Sequence, residues 1–191
     1  PMNTQQFSTK FGPWAVVTAA SSGIGTPYAT QLASRGLNLV LLARNADRLT
    51  EIAMELEKPH GIEARVAAAD LGQESFLDAI TPHTDRLDVG LLVSNAGSTS
   101  MGAFLRVPAD DLVTELRLNT TAHLELAHYF GERLVARGSG GIVLVGSTVG
   151  MQGTPFLANY SAAKAYIHAL GQALNWELRN SGVHVSVIAP G

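Results

Sequence analysis

Six short apolar runs constrain the fold of this 191-residue chain most strongly, because segments with helical spacing separate them. Several runs are continuously apolar, which is typical of strands that are buried on both faces of a sheet. Strands that alternate with helices favour a doubly wound parallel sheet with right-handed crossovers. The pattern predicts strands over residues 14–20, 37–43, 62–69, 89–96, 141–147 and 183–190, and helices over residues 23–35, 46–58, 73–81, 109–137 and 157–181.

Glycine and proline mark the ends of several predicted helices. Pro108 precedes a helix start, where its missing N–H group is tolerated. A glycine, which readily adopts the left-handed conformation that closes a helix, follows four predicted helix ends at Gly36, Gly61, Gly138 and Gly182. We therefore expect one α/β domain of the Rossmann type over residues 1–191, with three layers in the order α/β/α.

The composition excludes several classes of function. The net charge of -3 offers no basic field for nucleic acid, and no apolar run reaches the roughly 18–20 residues of a membrane span. The six histidines show no spacing typical of metal ligands. Cysteine is absent, so we expect neither disulfide nor thiolate chemistry. We expect a cytoplasmic location, which agrees with this lack of cysteine.

The stretch VVTAASSGIG, residues 16–25, predicts a strand that ends in a turn at a helix start. Unpaired N–H groups at a helix start favour an anion, and glycines let a phosphate approach the backbone. This βαβ context indicates a dinucleotide diphosphate site, although a tight glycine turn without a ligand is the alternative. The predicted cofactor residues of the turn are Thr18, Ala19, Ser21, Ser22, Gly23, Ile24 and Gly25.

Ala19 stands where such turns usually carry a third glycine. An alanine predicts a negative φ and a Cβ atom that points away from the phosphates. Under this interpretation the turn still binds a cofactor, and Gly23 is the position least able to accept a side chain. In the opposing interpretation Ala19 already blocks the site.

The end of the second predicted strand bears on the choice of cofactor. An NAD site usually carries an acidic residue there, and this chain has Ala43 followed by Arg44. An arginine can form charge-assisted hydrogen bonds with a 2′-phosphate. Arg44 therefore predicts NADP in preference to NAD, and a solvated arginine at a helix entrance is the alternative.

Tyr160 and Lys164 are four residues apart on a predicted helix, so both face the same side. A phenol has an unperturbed pKa near 10, and a nearby ammonium group favours its ionised form. Ser147 ends the preceding strand, where its hydroxyl could donate a hydrogen bond to a substrate oxygen. These three residues indicate acid–base chemistry, whereas each alone is more often an ordinary packed or solvated residue.

These motifs together resemble the short-chain dehydrogenase/reductase family, and the likeness runs from Trp14 to Gly191. TAASSGIG resembles the cofactor turn of the family, and the asparagine of LRLNTT, Asn119, matches the asparagine of its long helix. Further cofactor positions of the family match Asp70, Leu71, Asn95, Ala96, Gly97, Tyr160, Lys164, Pro190 and Gly191.

The resemblance implies an NADP(H)-dependent oxidoreductase that exchanges hydride with an alcohol/carbonyl substrate. Tyr160 would be the general acid/base, Lys164 would bind the nicotinamide ribose, Ser147 would position the substrate oxygen, and Asn119 would hold a relay water. The long helices over 109–137 and 157–181 would form a homodimer or homotetramer.

Two departures and two alternatives accompany this resemblance. The first departure is Ala19, which replaces a glycine. The second is that the family's substrate loop, the helix after it and the last strand would follow Gly191, so we expect this chain to lack them. Residues 98–108 would border the pocket and suit a small or medium apolar carbonyl compound. The alternatives are a non-catalytic nucleotide-binding or scaffold protein, and a sugar-nucleotide epimerase or dehydratase with the same Tyr-x-x-x-Lys motif.

Overall fold

The computed structural model describes residues 2–191 and contains one sheet of six strands, in which every neighbouring pair is parallel. The order across the sheet is β3-β2-β1-β4-β5-β6, so winding reverses between β1 and β4. Ligands of doubly wound sheets bind at this switch point. The strands are β1 (Trp14–Thr18), β2 (Asn38–Ala43), β3 (Ala64–Ala68), β4 (Val89–Ser94), β5 (Gly140–Val145) and β6 (Val183–Ile188).

Helices cover both faces of the sheet, which confirms the three predicted layers. Buried side chains of α4, α6 and α7 pack on one face, and those of α2 and α3 pack on the other. The helices are α1 (Thr4–Phe11), α2 (Gly25–Ser34), α3 (Ala46–His60), α4 (Phe76–Thr84), α5 (Ala109–Leu116), α6 (Ala122–Arg137) and α7 (Ala158–Leu178). Short 3-10 turns cover Phe104–Arg106, Thr148–Met151 and Arg179–Ser181.

The structure corrects several predicted boundaries. Helix α1 was not predicted, although Asn3 and Gln6 form a reciprocal capping box at its start. The predicted helix over 109–137 is interrupted by a π turn at Arg117–Thr121. Strands β1 and β4 each end two residues earlier than predicted, because the chain leaves the sheet to form the loops of the cleft described below.

The four glycines predicted to close helices all have positive φ: Gly36, Gly61, Gly138 and Gly182. Among the described helices, none combines the length and the hydropathy needed to cross a bilayer.

Candidate active site

A cleft lies beyond the carboxyl ends of β1, β4, β5 and β6, at the switch point of the sheet. The structure brings together there most of the residues that the sequence motifs single out. The cleft is lined by Ala19, Ser22, Gly23, Ile24, Asn95, Gly97, Ser98, Thr99, Val145, Gly146, Ser147, Tyr160, Lys164, Pro190 and Gly191.

The turn between β1 and α2 overturns the prediction for Ala19. Its φ is 49°, in the left-handed region, whereas a negative φ was predicted. The turn also places Gly25 so close that a Cβ atom there would overlap the carbonyl oxygen of Ala19. Gly23 has a φ of 55°, but a Cβ atom on it would meet nothing within 4 Å. In the protein alone, a side chain on Gly25 would clash with the backbone of Ala19, and one on Gly23 would be strained by its positive φ. The prediction that Gly23 lies closest to the diphosphate stays a prediction.

The start of α2 is open to an anion. The helix begins at Gly25, two residues later than predicted, and the preceding Ile24 has no side-chain group that could cap the first amides. Thr26 directs its hydroxyl back to the carbonyl oxygen of Ala20 at 2.9 Å. Ser21 is half-buried and Ser22 is exposed beside these amides. The local geometry therefore fits a diphosphate group.

Thr18 supports the site from inside the protein. Its side chain is fully buried, and its hydroxyl oxygen accepts hydrogen bonds from the amides of Asn95 at 2.8 Å and Ala96 at 3.1 Å. The end of β1 thereby holds the loop that follows β4. Thr18 was predicted to bind the cofactor, which stays a prediction, and the structure shows that it also bridges these two strand ends.

His123 holds the same loop from the opposite side and was missed in the sequence. Its Nε2–H group donates to the carbonyl oxygen of Ala96 at 2.8 Å, so Nδ1 accepts from the hydroxyl of Ser94 at 2.7 Å. Burial, helped by the positive charge of Lys164, lowers the pKa of His123 to about 4, so the ring is neutral at physiological pH. Its position four residues after Asn119 was the available signal.

Lys164 lies beneath Tyr160 in the cleft. Its side chain is 3% exposed, and its Nζ atom donates to the carbonyl oxygen of Val145 at 3.0 Å. The Nζ atom is 5.6 Å from the centroid of the Tyr160 ring. Burial lowers the pKa of Lys164 to about 8. Tyr160 and Lys164 are therefore close in space, as predicted. The lowered pKa means that the ammonium group of Lys164 loses its proton more readily than an exposed lysine does.

Ser147 lines the cleft two residues after the end of β5. Its hydroxyl oxygen accepts from the amide of Val149 at 3.2 Å and lies 3.4 Å from the carbonyl oxygen of Pro190. The amide of Thr148 also donates to Pro190, at 3.0 Å. These contacts place the turn after β6 against the end of β5.

Asn119 lies on the π turn with a fully buried side chain. Its amide group donates to the carbonyl oxygens of Ser98 at 2.7 Å and Glu115 at 2.9 Å, which fixes the orientation of the amide. Within residues 2–191 its Oδ1 atom has no hydrogen-bond partner. A Cβ atom on Gly97 would lie 2.8 Å from this oxygen and 3.4 Å from Nζ of Lys164. A side chain at position 97 would therefore crowd both polar atoms, and glycine leaves the space beside them free.

The remaining predicted residues follow the carboxyl ends of β2 and β3. Arg44 is exposed directly after β2, and none of the ion pairs within residues 2–191 involves it. Asp70 is exposed, and its side chain accepts from the amide of Gly72 at 3.0 Å. Leu71 is buried in the core, so only its backbone is placed to contact a ligand. No group of metal-ligating side chains occurs in the described part of the chain.

Comparison with known proteins matches residues 13–191 to the family model of the short chain dehydrogenases. A very-long-chain 3-oxoacyl-CoA reductase of Meyerozyma guilliermondii is 35% identical over 98% of this chain and 58% of its own length. A 17-beta-hydroxysteroid dehydrogenase type 3 of Mus musculus is 32% identical over 96% of this chain and 61% of its own length. The chain thus spans about three fifths of the length of these relatives.

Two solved structures extend the similarity to the fold. The bulky-bulky ketone specific alcohol dehydrogenase from Comamonas testosteroni has a TM-score of 0.89 and 37% identity, covering 94% of this chain and 72% of its own. A short-chain dehydrogenase from Sphingobium yanoikuyae in complex with NADPH has a TM-score of 0.89 and 38% identity, covering 94% of this chain and 71% of its own.

Proposed function

Since this chain belongs to the short-chain dehydrogenase family, a family of NAD(P)-binding oxidoreductases, we propose that it interconverts an alcohol and a carbonyl compound with NADP(H). The observation that carries this proposal is the buried Lys164 beneath Tyr160, opposite Ser147 in one cleft. Titratable groups whose pKa is shifted by burial within a cleft cluster at functional sites, and the pKa of Lys164 is lowered in this way.

The cleft offers groups for each part of the cofactor. The uncapped amides at the start of α2, with Ser21 and Ser22, suit the diphosphate, and Asp70 with the backbone of Leu71 suits the adenine. The charge of Arg44, which forms no ion pair within residues 2–191, suits a 2′-phosphate, and this supports NADP over NAD. The nicotinamide end would lie against cleft-lining residues, with Ala96 between the first two of them in the chain: Asn95, Gly97, Lys164, Pro190 and Gly191. When bound, the nicotinamide supplies or takes up the hydride.

The side chains of this protein would manage the proton. In reduction, Tyr160 gives its phenol proton to the carbonyl oxygen as the carbonyl carbon gains hydride, and in oxidation it removes the alcohol proton. The ammonium group of Lys164 lies 5.6 Å from the centroid of the Tyr160 ring, beside the phenol that would transfer the proton. Ser147 donates a hydrogen bond to the reacting oxygen. The Oδ1 atom of Asn119, which is buried and has no hydrogen-bond partner within residues 2–191, would accept from a water that returns protons from solvent.

The mouth of the cleft suits a bulky apolar carbonyl compound, a larger substrate than the sequence suggested. The segments over 98–108 and 151–157 meet where the amide of Gly102 donates to the carbonyl oxygen of Phe156 at 2.9 Å. Large apolar side chains are exposed on both segments: Met101, Phe104, Leu105, Met151 and Phe156. The relatives named above, with their ketone, steroid and long-chain acyl names, support this proposal.

Helices α5 to α7 carry further exposed apolar side chains, at Val113, Leu116, Leu124 and Trp176. Contiguous apolar surface on helices favours association. We propose a homodimer or homotetramer through these helices, which light scattering would test.

The proposed reaction is tested by replacing one phenol at a time on the same helix. With a bulky aromatic ketone and NADPH, Tyr160→Phe should lower the rate about 10²–10⁴-fold, because the proton donor is lost. Tyr166→Phe, a matched change further along α7, should retain the wild-type rate. NADPH affinity, measured by calorimetry, should stay within about twofold in both variants. Turnover by Tyr160→Phe above about a tenth of wild type contradicts the assignment.

A further inference from the structure

Three buried polar side chains form a stripe along the helix that carries Asn119. This polar stripe consists of Glu115, Asn119 and His123, which are spaced four residues apart across the π turn and are at most 2% exposed. The proposed reaction uses Asn119, and His123 supports the loop after β4. Glu115 has no part in either role, although burying a carboxyl group is costly.

The polar stripe binds one extended segment at every second residue. His123 contacts the Ser94 hydroxyl and the Ala96 carbonyl, and Asn119 contacts the Ser98 carbonyl. Four helical residues rise about 6 Å, and two extended residues span about 6.6 Å, so the two spacings match.

Glu115 forms the last contact of this series. Its Oε2 atom accepts a short hydrogen bond from the amide of Ser100. The polar stripe therefore secures the segment from the end of β4 up to Ser100, where the mouth of the cleft begins.

The second carboxyl oxygen of Glu115 reaches the helix that carries Tyr160. Oε1 accepts from the side-chain amide of Asn159 at 3.1 Å, and the same amide donates to the carbonyl oxygen of Leu112 at 2.9 Å. Both partners are acceptors, so the amide orientation is fixed. Asn159 directly precedes Tyr160 in the chain. One carboxyl group therefore joins the segment at the mouth of the cleft to the helix of the phenol.

Stability alone does not account for this carboxyl group. None of the ion pairs within residues 2–191 includes Glu115. Burying a carboxyl group that has no ionic partner costs free energy, which its hydrogen bonds only offset. What the carboxyl group provides, and leucine could not, is two directed hydrogen bonds that fix the relative positions of two segments.

We propose that Glu115 is a positioning residue that sets the distance between the Ser98–Gly102 segment and the phenol of Tyr160. This inference rests on the proposed function, because it assigns Ser98–Gly102 to the substrate and Tyr160 to the proton. The Ser100 contact should control substrate binding, whereas the Asn159 contact should control the chemical step.

Two single variants and their combination separate the contacts. Glu115→Gln keeps an acceptor for Ser100 but presents an N–H group to Asn159, so kcat for ketone reduction should fall about 5- to 30-fold with KM unchanged. Asn159→Ala removes the same bond together with the contact to Leu112 and should lower kcat at least as much. The double variant should be no slower than Asn159→Ala, because both single variants remove the bond between Glu115 and Asn159.

Glu115→Leu removes both contacts and should also raise KM for the ketone about 5- to 30-fold. NADPH affinity should stay within about twofold in every variant, because none of these contacts touches the predicted cofactor residues. Additive losses in the double variant, or a parallel loss of NADPH affinity, would overturn the proposal.

Amide hydrogen exchange tests the contact without relying on catalysis. In Glu115→Leu the amide of Ser100 should exchange at least about tenfold faster than in wild type, and in Glu115→Gln it should stay within about threefold. Equal exchange at Ser100 in Glu115→Leu and wild type refutes the positioning role. If wild type reduces no ketone, the proposed function fails, and the exchange result then decides whether Glu115 holds the segment.

Discussion

Replacing Lys164 by methionine should stabilise the protein at neutral pH while removing the proposed reductase activity. Methionine keeps the length and the apolar stem of lysine but carries no charge. The fall in the pKa of Lys164 from 10.5 to about 8 means that burial disfavours the ammonium form by about 3 kcal/mol. Losing the hydrogen bond to Val145 costs about 1.5 kcal/mol. At pH 7 the free energy of unfolding of Lys164→Met should therefore be about 1–2 kcal/mol higher than that of wild type.

The difference between the two proteins should depend on pH with a definite sign. Between pH 8 and 10.5 the unfolded chain binds the Lys164 proton and the folded chain does not, so wild type gains stability as pH rises. From pH 7 to pH 10 this gain amounts to about 2.5 kcal/mol. Lys164→Met lacks this proton, so its advantage at pH 7 should disappear or reverse by pH 10.

Urea unfolding of both proteins at pH 7 and pH 10 measures this change. Lys58→Met is the matched control, because Lys58 is exposed on α3, and its effect should stay below about 0.5 kcal/mol at either pH. If the unfolding free energies of wild type and Lys164→Met move in parallel over this range, burial does not disfavour the Lys164 ammonium form and the reasoning is wrong.

Three further changes test the turn and its surroundings. Ala19→Gly should raise the unfolding free energy by about 1 kcal/mol, because the left-handed conformation costs alanine more than glycine; no gain in urea unfolding would contradict this. Thr18→Val should lower it by about 2 kcal/mol, since the amides of Asn95 and Ala96 lose their acceptor, and a change below about 0.5 kcal/mol would refute that role. Arg44→Ala should weaken NADPH about 10- to 100-fold in calorimetry but leave NADH unchanged, and equal effects on both would exclude a 2′-phosphate contact.

The elements of the sheet could be predicted because their signals are local. Continuous apolar runs indicated all six strands, and helix spacing indicated the helices between them. Helix α1 was missed because the polar N-terminal stretch has few apolar residues, although Asn3 and Gln6 carry a readable capping signal. The π turn at Arg117–Thr121 leaves no such signal, since one inserted residue hardly alters the apolar spacing.

Most residues of the candidate site could be predicted from the sequence, but the burial of Lys164 and its lowered pKa could not. Spacing placed Tyr160 and Lys164 on one face of a helix, and the structure brings them together in the cleft. Burial of the Lys164 ammonium depends on packing from β5 and α7, which no local pattern records. The contacts of Glu115 and His123 depend likewise on the path of the chain after β4, and so appeared only with the fold.

Ala19 shows why residue type is a weaker guide to conformation than the turn around it. Its alanine predicted a negative φ, yet the end of β1 and the close approach of Gly25 impose a φ of 49°. The left-handed conformation costs an alanine about 1–2 kcal/mol, which is comparable to one or two hydrogen bonds of the turn. Ala19 also packs against the core, so its Cβ atom recovers part of that cost. A missing glycine at this position is therefore a modest stability cost rather than evidence that the cofactor turn has been lost.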